Sequence, residues 1–171
     1  SRGGVQLTSY EINVANYEEN RHFFLARYFK DKYDEGMRSL PNILTGIKIN
    51  RVEIWVTNKS GTTTNTRNIV AFTDLGENTH VYNPLWSVGT LPVPSNQANN
   101  LYGSINSSYV AARDIDQTST VLDAIPGVVG GNDYEKLSNA RLLNPSEYDV
   151  NTSLGYVSLK NTLQTDQVLA V

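Results

Sequence analysis

Ile47-Lys48-Ile49-Asn50-Arg51-Val52-Glu53-Ile54-Trp55-Val56-Thr57 is the stretch on which the reading of this chain turns. Ile47 and Ile49 share one face. Val52, Ile54 and Val56 share a face after a one-residue slip at Asn50-Arg51, which is the pattern of a bulged strand. Glu53 and Trp55 take the opposite face, and a period of two belongs to a strand rather than a helix. Trp55, on so regular a strand, is expected in the core or beneath a helix. A polar run, 58–66, holds Gly61 and several threonines and leads to a second strand at 68–73, apolar on both faces. The two strands are predicted to pair as a hairpin with a long tip.

Upstream, Tyr10-Glu11-Ile12-Asn13-Val14 alternates as a half-buried strand does. Asn16 and Glu19 have the spacing of a reciprocal helix cap, and they predict a helix running to about Ser39. Leu25, Phe29, Tyr33 and Met37 recur every four residues, with Phe24 and Tyr28 widening the stripe. Gly36 weakens the last turn and Leu40-Pro41 ends it. Two strands joined through a helix imply a parallel pair with a right-handed crossover, so the chain is expected to open β-α-β-β.

Downstream, 75–106 has no sustained period and contains Pro84, Pro92 and Pro94. A stretch that long without regular structure is functional or ordered by a partner. A short helix is expected over 118–124, ended by Pro126-Gly127. From Ala140 the pattern is β again. Tyr148 and Val150 face Tyr156, Val157 and Leu159 across a turn at Asn151 to Gly155, and Val168-Leu169-Ala170-Val171 begins a further strand.

The fold class read from these elements is α+β: a mixed sheet, one long packed helix and a C-terminal β-hairpin region. The predicted core contains Ile12, Val14, Leu25, Tyr28, Phe29, Val52, Ile54, Val56, Ile69 and Phe72. All 171 residues are read as one soluble domain, divisible into 1–78, 79–115 and 116–171. The start without Met and the unfinished strand at the end read as cuts in a longer polypeptide.

A net charge of −3 with no basic stripe removes the long-range attraction that draws a protein to nucleic acid or to an anionic membrane surface. The absence of cysteine excludes disulfides, thiolate nucleophiles and zinc-thiolate sites. No apolar run approaches the roughly 20 residues of a membrane-spanning helix.

Several stretches together carry a family resemblance. They are His22-Phe23-Phe24-Leu25-Ala26-Arg27-Tyr28-Phe29, the run 49–59, the run 66–77, Leu143-Asn144-Pro145-Ser146-Glu147-Tyr148, Leu154-Gly155-Tyr156-Val157-Ser158-Leu159 and Val168-Leu169-Ala170-Val171. In this order they resemble the SprA/Sov family, the giant outer-membrane translocons of the type IX secretion and gliding-motility machinery of Bacteroidota. The stretch 79–139 contributes little to the resemblance. The resemblance implies a non-catalytic portion of such a protein, placed in the cell envelope at the outer membrane. It would support the pore or dock other translocon subunits, cargo or the rest of its own chain. It does not imply a piece of the pore wall, because barrel strands need repeated alternating segments of about 10 residues.

Residues able to do chemistry are few. His22, expected on the first turn of the helix, and His80 lack a third ligand at zinc-binding spacing. Asp114-Ile115-Asp116 begins like a calcium loop but lacks the later Gly and the closing Glu. Gly127-Val128-Val129-Gly130-Gly131 lacks the Lys-Ser/Thr of a phosphate loop. Asp31, Asp34 and Glu35 alternate with Lys30 and Lys32, as on a solvated helix face. No catalytic, cofactor-binding or metal-binding residue is therefore assigned, and the chain is read as not an enzyme. Tyr82, Leu85 and Trp86 in the proline-containing middle are the candidate partner-binding residues, as rigid aromatic anchors. Trp86 tucked beneath its own loop is the competing placement. The alternative function is a carbohydrate-binding module that stacks sugar rings on Tyr82 and Trp86.

Overall fold

The computed structural model describes residues 18–43, 45–73, 76–77, 93–95 and 97–171. The predicted strand at Tyr10–Val14, its core residues Ile12 and Val14, the Asn16 cap and the Tyr82-Leu85-Trp86 cluster lie outside them.

The described elements run β1 His22–Phe24, α1 Arg27–Arg38, β2 Trp55–Val56, β3 Thr66–Phe72, α2 Leu101–Ser108, α3 Thr118–Leu122, β4 Tyr134–Leu142, β5 Tyr148–Asn151, β6 Tyr156–Leu159 and β7 Leu169–Ala170. Short 3-10 turns at Val110–Arg113 and Pro145–Glu147 precede α3 and β5. The fold is α+β, as expected. The strands form a three-stranded sheet in the order β1-β6-β5 and a four-stranded sheet in the order β3-β4-β2-β7. Every strand ladder among the described residues is antiparallel.

The face shared by Val52, Ile54 and Val56 becomes the seam between the sheets. Ile54 and Val56, with Leu143, pack on Val157 and Leu159 of β6, and Phe23, Leu25, Tyr148, Val150 and Leu169 close the cluster. On β3 both faces are used. Val70 and Phe72 meet Tyr134 beneath the 110–128 region, where Leu122, Ile125 and Val128 are buried. Ile69 and Ala71 lie with Trp55, Leu137, Ala140 and Ala170 on the other side. Trp55 is buried there, with the Arg67 guanidinium 5.4 Å from its ring centre. Of the predicted core, Phe29, Ile54 and Val56 are buried, and Leu25, Tyr28, Val52, Ile69 and Phe72 are half-buried.

Besides the stretch expected to be irregular, in which α2 begins at Leu101, two sequence expectations are corrected. The helix starts at Arg27, and His22–Phe24 is instead a strand pairing with Tyr156–Ser158. The chain turns at Asn20, whose φ of 57° lies in the left-handed region. Phe23 then points into the seam between the sheets, a burial that a first helical turn on the surface would forgo. The aromatic stripe is correspondingly shorter at the other end too, since Met37 is 39 % exposed. Phe24 packs edge-on against Tyr33 and Tyr156.

The second correction concerns the hairpin. β2 and β3 are not neighbours, because β4 lies between them and pairs with both. Nine residues of β4 offer β3 six paired positions, from Thr66 opposite Arg141 to Phe72 opposite Tyr134. The early part of β4 lacks a one-sided period because its apolar residues serve opposite faces, Tyr134 beneath the 110–128 region and Leu137 beside Trp55. The register shifts between Arg67 and Ile69, and Asn139 opposite adopts a φ of 51°. Its N–H donates to the Asn68 side-chain oxygen at 2.9 Å, so the alternation breaks while the ladder continues.

The C-terminal hairpin forms as predicted, with Tyr148 opposite Leu159 and Asn151 opposite Tyr156. Its turn is organised by Asn151, whose side-chain oxygen accepts the N–H groups of Ser153 (3.2 Å) and Leu154 (2.8 Å). Gly155 closes the turn with φ 67°, and its carbonyl accepts the Leu25 N–H at 2.9 Å. A Cβ at this glycine would sit 2.0 Å from Cγ of the buried Phe29, so the α1 ring lies flat against bare backbone. Gly36 is also a packing residue, because a Cβ there would approach Leu154 to 3.0 Å and Thr45 to 3.2 Å.

Candidate partner-binding surface

Helix α1 is entered through Ala26, which supplies no side-chain cap. The orphan N–H groups of a first turn need acceptors, and here they come from a residue far along the chain. Glu77 is buried, and its carboxylate accepts the Arg27 N–H at 2.9 Å and the Tyr28 N–H at 2.7 Å. A carboxylate at this end of a helix is also favoured by the helix dipole. The neighbouring Gly76 carbonyl accepts the Ser95 N–H at 2.8 Å, which brings the two flanks of 78–92 together at the start of the helix.

A groove of about 1200 Å³ opens beside this junction, with Phe24, Leu25, Ile49, Val52, Phe72 and Val171 among its apolar lining. Arg27, Lys30, Arg51 and Glu77 supply its charged groups. The side wall is the extended run before β2. Thr57 N–H donates to the Val168 carbonyl (3.1 Å), so odd-numbered residues of this run turn their backbone groups toward β7. Leu143 N–H donates to the Ile54 carbonyl (2.8 Å), so even-numbered residues turn toward β4. Glu53 therefore directs its N–H and C=O to the β7 side. Earlier in the run, the Ile49 N–H donates to the Thr152 carbonyl at 2.9 Å. The Glu53 and Arg51 side chains pair with each other on the exposed face.

The other residues singled out from sequence are placed as follows. His22 lies on β1, not on a helix, with Nδ1 2.8 Å from Ser158 Oγ and Nε2 2.7 Å from Glu18 Oε2. Asp114 accepts the Asp116 N–H at 3.1 Å, a local turn in which both residues are exposed. In the glycine-rich stretch, Asp133 Oδ2 accepts the Val129 N–H at 2.7 Å, so the protein's own carboxylate holds this loop amide. Glu35 pairs with Lys32 on the solvent side of α1. Among the described residues no three His, Asp or Glu side chains converge to hold a metal ion. The structure does not bring His22, Asp114, Asp116 and the glycines together. Tyr82, Leu85, Trp86 and His80 lie outside the described residues.

The perturbed acids and bases have structural causes. The hydrogen bond from Arg141 holds the Glu147 carboxyl below the ordinary glutamate range. The same carboxylate accepts the Asn144 N–H at 2.7 Å, closing the reciprocal cap before β5. The His22 hydrogen bond, then the Arg21 charge, lower Glu18. Lys59 lowers Asp166 through a 2.6 Å contact that ties the 58–65 loop to the approach to β7. Burial pushes the Tyr134 phenol up, and its donation to Asp123 Oδ1 at 2.8 Å adds to the shift.

The sequence matches no protein-family model and no curated protein. No helix among the described residues is long and apolar enough to cross a membrane.

Proposed function

We propose that this chain is a non-catalytic structural and interaction domain of an outer-membrane protein-secretion translocon, of the kind that serves type IX secretion and gliding motility. One observation carries the reading. Five of the six stretches that resemble the SprA/Sov family meet in one packed core. Phe23 and Leu25 come from the first, Ile54 and Val56 from the second, and Leu143 and Tyr148 from the fourth. Val157, Leu159 and Leu169 come from the last two. Their apolar residues thus form one seam between the two sheets.

The placement of charge supports a supporting role. Glu77 caps a helix, Glu147 caps a turn, and Asp166 and Asp149 tie strands and loops through Lys59 and Lys160. In this reading the domain rests against the pore or docks a translocon subunit or cargo protein, and its working place is the bacterial outer membrane. The test is affinity capture from detergent-solubilised envelopes of a bacterium that uses type IX secretion. The tagged 171-residue chain is the bait, and a heat-unfolded sample is the control. Enrichment of translocon subunits or secreted cargo by the folded chain alone is the expected result. Equal recovery on both samples overturns the docking role.

A further inference from the structure

We draw no further inference here: the strongest candidate, the apolar groove between α1, the extended run 47–52 and β7, carries nothing because nothing in the structure shows what covers it.

Discussion

Replacing Gly155 by alanine should be among the most damaging single-methyl additions to this protein. Two costs combine. The residue sits at φ 67°, where a Cβ crowds the following carbonyl, at a cost of about 1–2 kcal/mol. The new methyl would also lie 2.0 Å from Cγ of Phe29, a separation no pair of non-bonded carbon atoms tolerates, so the ring or the turn must move. Forcing an extra methyl into a packed site costs about 1–3 kcal/mol. The expected loss is therefore about 2–5 kcal/mol, a large share of the roughly 5–15 kcal/mol that holds a typical domain folded. Urea unfolding followed by circular dichroism measures it, and the midpoint should fall with little change in slope. Truncating the ring separates the two costs. Phe29→Ala alone should cost about 3–5 kcal/mol by leaving a cavity. In the double variant the methyl added at position 155 no longer meets the ring, so the combined loss should fall short of the sum by about 1 kcal/mol or more. A Gly155→Ala effect within about 0.5 kcal/mol of zero, or strict additivity with Phe29→Ala, would refute the contact.

Glu77→Ala should destabilise the protein by about 1–2 kcal/mol, with Glu77→Gln intermediate because one amide oxygen can still accept. Hydrogen exchange locates the effect, since the Arg27 and Tyr28 amides should lose protection while those of β4 keep theirs. Glu147 makes stability depend on acid. Its folded pKa lies below the unfolded one, so its contribution is complete above about pH 4.3 and is lost as pH falls through the depressed folded value. Glu147→Gln should flatten the acid limb of a stability–pH curve, and an unchanged limb would contradict the Arg141 pairing. Arg67→Ala should cost about 0.5–1 kcal/mol and alter the emission of Trp55, whose ring the guanidinium covers.

Much of the architecture is legible in short windows of the sequence. The period-two run ending at Val56 supplies the seam between the sheets, and the two-faced strand at 68–73 is apolar on both sides because both sides are covered. The Asn151–Gly155 turn and the Asn144-Pro145 turn are built from hydrogen bonds spanning two to four residues, so their residue types announce them. The candidate surface is far less legible. The residues expected from sequence to bind a partner, Tyr82, Leu85 and Trp86, lie outside the described residues, and the groove is assembled from β1, α1, the run before β2 and β7.

What the amino-acid order determined alone is the local conformation of most strands and helices, the charge balance and the absence of cysteine chemistry. Only the tertiary structure decided that His22–Phe24 is a strand, that β4 separates β2 from β3, and that α1 is capped by a residue 50 positions along the chain from Arg27. Each of these rests on pairing between groups distant in sequence. Such pairing leaves no period to read, and its gain exists only once the intervening chain has brought the partners together.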